Sequence, residues 1–454
     1  MRQKKSSSGI LVLVFFIVVI AALAYVYNSK FFERRVPTIE LADVIEWNLK
    51  KPIQVTIKDE SGIKFLRAVL NDGKNSIILE KKVFETAQKE VVLDIEFPRT
   101  GFIGNKKHFE LSIEALDASK WNFFAGNTNI KKSIINVDTK KPDLFIVNNS
   151  YKIIKGGVAT VVFHTKDENL KELYIQTNFD KKFYPTPFYK DGYYVSFVAW
   201  PSDEENFSAT IVASDKAGNI SKERIRFYLS NRKYRVSKIN LKDSFLDGKI
   251  ADLAAELSTS SAEMNKIDKF KFVNEDVRKD NERIIERVTS KYPKELLSEF
   301  HIEPFYPLKN AAAVASFGDH RFYRYNQNEV SQSFHVGLDL ASTAEANIIT
   351  SNDGVVVYAS QNGIYGENMI LSHGLGLYSL YGHCSTFLVK EGEVLSKGQA
   401  IATTGKTGLA LGDHLHFGIL VQGIEVRPEE WMDTSWLKDN VFGVMDAAKK
   451  IIDR

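Results

Sequence analysis

An uninterrupted apolar segment near the N-terminus, residues 9–27, limits most strongly how this chain can be arranged. Its 19 positions carry no charged side chain. As an α-helix the segment would span about 28 Å, close to the roughly 30 Å hydrocarbon core of a bilayer. Arg2, Lys4 and Lys5 precede it, the arrangement expected for a cytoplasmic N-terminus. The pattern predicts that residues 1–35 are a short cytoplasmic stub and a single-pass anchor.

A cleaved signal peptide is the alternative for the same segment. Ala22-Leu23-Ala24 resembles a small-residue cleavage site. The apolar run exceeds the roughly 7–15 residues usual in a signal-peptide core, which favours the uncleaved anchor. Under both interpretations, the rest of the chain lies outside the cytoplasm. Its 60 Lys and Arg against 57 Asp and Glu are too balanced to indicate nucleic-acid binding.

The sequence from residue 36 to about residue 232 is typical of β-strands. Apolar residues alternate at period two in runs such as Ile53–Ile57 and Glu110–Glu114. The triplet 58–60 closes one such run, and the similar triplet 166–168 closes another 108 residues later. The repeat predicts two immunoglobulin-like β-sandwich modules, 36–139 and 140–232. They carry no catalytic pattern, so we expect spacers or modules that bind an envelope protein partner.

The period of the apolar residues changes after the second module. Ile250, Leu253, Ala254 and Leu257 recur at helical spacing. Residues 233–303 are therefore predicted to be a helical connector, which either packs against a neighbouring domain or forms a lid. The sequence of residues 304–454 is again typical of β-strands and is rich in glycine. The predicted fold class is mainly β and multidomain.

Histidines point to the chemistry of this last part. Five of the nine in the chain fall between positions 335 and 416. His414 and His416 would share a face of a strand, because residues i and i+2 point the same way. His335 and Asp339 are also separated by an even number of residues. Imidazole and carboxylate ligands suit Zn²⁺, and three protein ligands would leave a fourth position for water.

The order of these residues resembles the LytM/lysostaphin-type zinc metallopeptidases, which cut peptide bonds in peptidoglycan. The resemblance extends over about residues 310–432. Further segments that match are Ser316-Phe317-Gly318, before His335, and Gly412–Phe417, which contains the last two histidines. It implies a LytM-type β-sheet metallopeptidase domain in 304–454, with a C-terminal extension.

The resemblance also implies a role for each of five side chains. His335, Asp339 and His416 would bind one Zn²⁺ per chain, and His383 and His414 would be catalytic. His414 is expected to act as the general base and His383 to contact the oxyanion, although these two roles remain interchangeable. All five residues are present, unlike in the degenerate, non-enzymatic members of the family.

These features predict a zinc-dependent endopeptidase for cell-wall remodelling. Its substrates would be peptidoglycan peptide stems, and the bond would be the D-alanyl–meso-diaminopimelate cross-link of a two-membrane bacterium. The chain would be single-pass in the cell inner membrane through residues 9–27, with its catalytic domain in the periplasm. The alternative is a non-catalytic LytM-like regulator or scaffold of other wall hydrolases. An adhesin would leave the histidines unexplained.

Overall fold

The computed structural model describes residues 8–98 and 106–454, which form two compact units. The first contains the described residues up to Lys141 together with Ser214–Ile220, and the second contains Pro142–Ala213 with Ser221–Arg454. The chain is mainly β, as predicted. Arg2, Lys4 and Lys5, on which the orientation of the anchor was predicted, lie outside the described residues.

The N-terminal apolar segment forms one helix, α1 (Ser8–Asn28). Over Gly9–Asn28 its mean hydropathy is 3.1, and none of this span is buried. Among the described residues it is the one helix long and apolar enough to cross a membrane. This helix fits a membrane anchor or a signal sequence.

Six strands form one hydrogen-bonded sheet in the described residues of the first unit. They are β1 (Thr38–Glu40), β2 (Val44–Trp47), β3 (Ile53–Asn71), β4 (Ser76–Ile95), β5 (His108–Asp117) and β6 (Thr128–Val137). Strand β4 pairs with β3 along one edge, while β1 and then β5 pair with its other edge. The turn α2 (Trp121–Phe124) lies between β5 and β6. The two-sheet sandwich predicted for 36–139 is not confirmed.

A β-bulge explains why this unit forms a single sheet. The triplet 58–60 was expected to close a strand, but β3 continues through it with a shift of register between Lys58 and Ile63. Gly62 has φ +92°, and a Cβ there would lie 2.9 Å from Cβ of Ala87 on the paired strand. Glycine is therefore what lets the chain bend at this point without ending the strand.

The second unit begins with a module of two four-stranded sheets and a short parallel pair. Its strands are β7 (Asp143–Asn149), β8 (Lys152–Ile154), β9 (Val158–Lys166), β10 (Leu170–Thr177), β11 (Lys182–Phe183), β12 (Thr186–Pro187), β13 (Tyr193–Ala199), β14 (Ala209–Asp215), β15 (Ile220–Ile225) and β16 (Tyr228–Ser230). The sheet orders are β11-β10-β14-β15 and β12-β13-β9-β7. Phe163, Phe197 and Ile211 belong to one buried core. An immunoglobulin-like topology is not confirmed by this arrangement.

Helices follow where the apolar spacing predicted them. They are α3 (Asp243–Phe245), α4 (Ala251–Leu257), α5 (Lys266–Lys271) and α6 (Arg278–Thr289), joined in part by π turns over Leu246–Ile250 and Phe272–Val277. Leu253 and Ala254 are buried in a core shared with Tyr323 and Ile370 of the following domain. The strand β17 (Val236–Asn240) precedes the helices and was not predicted.

The C-terminal domain is built on an eight-stranded sheet. Its part of the chain contains β18 (Ala312–Ala315), β19 (Asp319–Tyr325), β20 (Asn328–His335), β21 (Leu338–Ala341), β22 (Asn347–Ile349), β23 (Gly354–Gln361), β24 (Glu367–Ser372), β25 (Leu377–Cys384), β26 (Thr386–Phe387), β27 (Val394–Leu395), β28 (Ala400–Thr403), β29 (Leu415–Val421) and β30 (Ile424–Val426). The order in the large sheet is β18-β21-β29-β25-β24-β23-β27, with β30 also on β29. Every residue of β25 and β29 is buried, so these strands form a rigid support.

Two three-stranded sheets and a helical extension complete the domain. Strands β17, β19 and β20 form one small sheet, in which the connector strand β17 pairs in parallel with β19, and β22, β28 and β26 form the other. The extension consists of α7 (Pro428–Trp431), α8 (Thr434–Leu437) and α9 (Gly443–Ile452).

A buried carboxyl group joins the extension to the start of β9. Oε2 of Glu430 accepts a hydrogen bond of 3.0 Å from the backbone N–H of Val158, whereas its buried Oε1 has no hydrogen-bond partner in the described structure. Burial raises the pKa of Glu430 from 4.5 to about 7. The folded chain therefore binds this proton more tightly than the unfolded chain does.

We expect the free energy of unfolding to fall through this group as the pH rises from about 4.5 to about 7, by at most about 3 kcal/mol. The charged form is the one that burial disfavours, so Glu430→Gln should lose this part of the pH dependence. Thermal unfolding at pH about 5 and about 7.5 measures it for the parent and the variant. Glu429→Gln, at the more exposed neighbour, is the control. Equal pH dependence in the parent and in Glu430→Gln would contradict the assignment.

Candidate active site

Three side chains bring their donor atoms together at one point of the C-terminal domain. Oδ1 of Asp339 lies 3.0 Å from Nε2 of His335 and 2.9 Å from Nδ1 of His416. The two nitrogens are 3.2 Å apart. Both imidazoles are buried and the Asp339 side chain is 13% exposed.

Sheet register explains how residues distant in sequence meet here. Asp339 on β21 is directly paired with His416 on β29, and His416 is in turn paired with Gly382 on β25. His335 ends β20, and Nδ1 of its ring donates a hydrogen bond of 2.9 Å to the carbonyl oxygen of Ser316. That bond fixes the proton on Nδ1, so the lone pair of Nε2 faces Oδ1 of Asp339 and Nδ1 of His416.

The donor set fits a metal ion of the zinc type. Ligand distances of about 2.0–2.2 Å around a tetrahedral centre place neighbouring donor atoms roughly 3.3 Å apart. The separations of 2.9–3.2 Å are close to that value. The lone pair of His335 Nε2 also faces Nδ1 of His416 at 3.2 Å. A cation bound between the two nitrogens would stabilise this arrangement better than a hydrogen bond between the rings.

Gly337 is required by this packing. A Cβ at this position would lie 2.5 Å from both Cε1 and Nε2 of His416. No side chain larger than hydrogen fits without displacing the imidazole. Position 337 therefore requires glycine because of the close contact with His416, and not because of its backbone conformation.

Two further imidazoles line the same place. The rings of His383 and His414 have their centroids 4.8 Å apart. Nδ1 of His383 donates to the carbonyl oxygen of Thr407 at 2.9 Å, and Nδ1 of His414 donates to that of Gly412 at 2.8 Å. In the neutral form of each ring, Nε2 is therefore the free acceptor. Nε2 of His414 lies 3.8 Å from Oδ2 of Asp339.

The backbone at His383 is strained. Its φ is +64°, in the left-handed region that non-glycine residues seldom adopt. The chain at Gly405 passes close to this segment, since a Cβ there would lie 2.9 Å from the carbonyl oxygen of His383. Such strain is common where a fold must aim one particular side chain.

Burial and hydrogen bonding set the charge of the site. Burial alone would raise the pKa of Asp339, but hydrogen bonds and charges from His335 and His416 outweigh it and hold that pKa well below its usual range. Burial lowers the pKa of His416 against the opposing effect of Asp339. Burial, reinforced by the charges of His416 and His414, lowers the pKa of His383 to about 3. The site therefore favours a carboxylate at Asp339 and neutral imidazoles at His383 and His416.

A cavity of about 860 Å³ opens over these side chains. All five lie in its lining, together with Phe245, Lys249 and Arg278 of the helical connector. Nζ of Lys249 donates to the carbonyl oxygen of Lys406 at 3.0 Å. The connector therefore forms part of the wall of the site.

The remaining functional groups missed by sequence reasoning are backbone carbonyls. Those of Ser316 and Thr407 orient His335 and His383. The segments that contain them, Ser316-Phe317-Gly318 and Thr404–Gly408, can be recognised in the sequence. A backbone carbonyl oxygen, however, is present in every residue and cannot be predicted from residue type. His373 is held by the carbonyl oxygen of Asp353 and by Oγ of Ser379, away from the five.

Known proteins show similarity to this part of the chain. Peptidase family M23 matches residues 333–428. The peptidoglycan DD-endopeptidase ShyA of Vibrio cholerae is 38% identical over 93 residues, which are 20% of this chain and 22% of that protein. The DD-carboxypeptidase/endopeptidase Mpg of Neisseria meningitidis serogroup B is 33% identical over 129 residues, 28% of each chain.

A crystal structure of a putative M23 peptidase from Pseudomonas aeruginosa has a TM-score of 0.32 at 17% identity, and covers 62% of this chain and 94% of that chain. The present chain spans only 22% and 28% of the length of the two curated relatives. The family match and the two curated relatives identify the C-terminal part of the chain as a peptidase domain. It is a Peptidase family M23 domain of the LytM type, as the resemblance predicted. That family is generally zinc-dependent, and the His–Asp–His group is present here.

Proposed function

We propose that the chain is a zinc-dependent endopeptidase that hydrolyses the peptide cross-links of peptidoglycan, with the D-alanyl–meso-diaminopimelate bond as its substrate. The observation that carries the proposal is the convergence of three donor atoms and two free imidazole nitrogens on one cavity of an M23 domain. Relatives named as DD-endopeptidases support the substrate class.

His335, Asp339 and His416 are proposed to hold one Zn²⁺ per chain through Nε2, Oδ1 and Nδ1. When bound, zinc supplies Lewis acidity, which polarises a carbonyl group and lowers the pKa of water to about 7. Asp339 and His416, two of the proposed ligands, lie on the neighbouring paired strands β21 and β29. The chain therefore presents the ligands already arranged, without a need to order them on binding.

His414 is proposed as the general base. Its Nε2 is free to take a proton from the attacking water, and the carboxylate of Asp339 at 3.8 Å stabilises the imidazolium that forms. His383 is proposed to contact the reacting carbonyl as it becomes an oxyanion. In the tautomer fixed by the bond to Thr407, Nε2 of His383 presents a lone pair, so contact with the oxyanion would require a proton on this nitrogen. The same lone pair suits a general base, and the roles of His383 and His414 therefore remain interchangeable.

Enlarging Gly337 should weaken zinc binding, since the added methyl group displaces the His416 ring. We expect Gly337→Ala to lower zinc affinity by about 10-fold to 100-fold, the range seen when groups that orient a ligand are changed. Competition against a chromophoric chelator measures the affinity.

Gly412→Ala is the matched control, because a Cβ there meets nothing within 4 Å. It should bind zinc as the parent does. Equal affinities for Gly337→Ala and Gly412→Ala would contradict the packing argument.

The layout proposed for the chain places this site outside the cytoplasm. Residues 1–35 would be the stub and anchor, 36–139 and 140–232 two immunoglobulin-like modules, 233–303 the connector, and 304–454 the peptidase domain with its extension. The anchor would cross the inner membrane once and leave the peptidase domain in the periplasm. The two modules would act as spacers or recruit an envelope protein, and nucleic acid is not an expected partner.

The alternative, a non-catalytic regulator or scaffold, is not favoured. A regulator would need the fold and the groove but not the five side chains, and those are present with two imidazole nitrogens free for chemistry. Digestion of purified muropeptides separates the two functions.

In that experiment the detergent-solubilised chain is incubated with zinc and cross-linked muropeptide dimers, followed by chromatography and mass spectrometry. Conversion of dimers to monomers with a new D-alanine carboxyl terminus would support the proposal. Release of the terminal D-alanine alone would identify a carboxypeptidase instead. Intact dimers in the presence of zinc-loaded protein would contradict the endopeptidase and favour the regulator.

A further inference from the structure

A turn of exposed aromatic side chains lies in the first unit, far in sequence from the peptidase domain. We call Trp121–Phe124, the short element α2, the aromatic turn. The Phe123 side chain is 98% exposed, Phe124 is 71% exposed and Trp121 is 36% exposed. Large rings that project together from a surface mark contact with an apolar partner.

Hydrogen bonds tie this turn to the chain that leaves α1. The backbone N–H of Lys120 donates to the carbonyl oxygen of Phe31 at 2.7 Å. The carbonyl oxygen of Glu33 accepts from Oγ of Ser119 at 2.6 Å and from Nδ2 of Asn127 at 2.9 Å. Since α1 ends at Asn28, these bonds hold the aromatic turn beside the C-terminal end of the apolar helix.

Side chains link the turn to the helix directly. The guanidinium carbon of Arg34 lies 4.3 Å from the ring centroid of Tyr27 on α1 and 4.6 Å from that of Trp121. The rings of Phe32 and Phe124 meet edge to face with centroids 6.4 Å apart. Aromatic rings together with a basic side chain at one end of an apolar helix are the composition of a membrane interface.

The backbone of the turn is locally strained, and its rings point outward. Asn122, Phe123 and Phe124 have φ of 54°, 56° and 69°, in the left-handed region. Three consecutive L-residues seldom adopt it, because Cβ approaches the following carbonyl oxygen. In the described structure the strain is not offset by burial of the Phe123 ring. Strain of this kind persists where a segment has a task outside the fold.

We propose that the aromatic turn inserts into the headgroup and acyl boundary of the bilayer that α1 crosses. A helix of 20 apolar residues spans about 30 Å and ends at the interface, so its C-terminal end brings the turn to that depth. The turn is a second point of attachment, which fixes the orientation of the first unit on the membrane. The inference rests on the proposal that α1 remains in the membrane, and it does not depend on peptidase activity.

Spin labels on the full chain in phospholipid nanodiscs test the depth of the turn. Single cysteines replace Phe123 in the turn, Val18 in the middle of α1, and Ile78 as a matched exposed apolar control. Ile78 pairs with Val69, which pairs with Ser112. Ser112 lies about 17 Å along β5 from Asp117, the last residue of the strand before the turn. The native Cys384 is completely buried, and the unsubstituted chain measures any label it takes up.

Collision with dissolved oxygen reports lipid, and collision with a water-soluble nickel chelate reports water. We expect the oxygen-to-nickel accessibility ratio at 123 to shift from the value at 78 towards the value at 18. A label at 123 that matches the label at 78, while the label at 18 lies in lipid, would overturn the proposal and leave the rings for a protein partner. An aqueous label at 18 would overturn the premise that α1 is inserted. Muropeptide digestion is unaffected by any of these outcomes, so the two proposals fail separately.

Discussion

Replacement of His416 by alanine is expected to abolish zinc binding and hydrolysis together. Its Nδ1 lies within 3.2 Å of both other donor atoms, so its loss removes a third of the ligand set. The metal contributes several kcal/mol to stabilisation of the transition state, which corresponds to a fall in kcat/KM of about 10³-fold or more. Zinc content by atomic emission and dimer cleavage by chromatography measure the two losses.

The control for this variant is a histidine outside the site. The His301 side chain is 83% exposed, and His301→Ala should retain zinc and activity. Thermal unfolding of both variants verifies that the fold survives. A His416→Ala variant that is folded, free of zinc and still active would contradict the assignment of the ligands.

Replacement of His414 or of His383 by alanine is expected to stop turnover while the metal stays bound. Neither ring supplies one of the three converging donor atoms, and each presents a free Nε2 to the cavity. Positioned proton transfer is worth about 10²-fold to 10⁴-fold, so kcat should fall by that factor. Near-stoichiometric zinc together with low kcat would distinguish these variants from His416→Ala.

The two variants also separate the roles of the rings. The variant that lacks the general base should lose the acidic limb of the pH–rate profile, whereas the variant that lacks the oxyanion contact should keep this limb at reduced height. Loss of zinc from either variant would show that its histidine is a ligand. An unchanged kcat in both would contradict the proposed chemistry.

Much of the site could be predicted because strand geometry and residue type act locally. Period-two spacing predicts that His414 and His416 share a face. The even separation of His335 and Asp339 predicts the same for an extended segment, but His335 ends β20 and Asp339 lies on β21 of another sheet. The structure brings all five predicted residues to one cavity. What the spacing could not show is that His416 pairs directly with Asp339 across two strands, because register depends on the whole sheet.

Other features depended on contacts that no local pattern encodes. The end of a strand predicted at residues 58–60 was wrong, since the bulge at Gly62 lets β3 continue to Asn71. The connector was predicted to be helical, yet its residues Val236–Asn240 form a strand that pairs with β19. A fragment that begins at residue 300 would therefore lose an edge strand of the small sheet, and it is a poor substitute for the full chain in activity assays.

Titration of the metal-free protein with zinc tests the central claim most directly. The full chain is stripped with a chelator, zinc is added in fractions of one equivalent, and the rate of muropeptide dimer cleavage is recorded at each step. We expect a rate that rises in proportion to zinc and stops rising at one zinc per chain. Cleavage by the stripped protein, or no cleavage by the protein carrying one zinc at His335, Asp339 and His416, would contradict it.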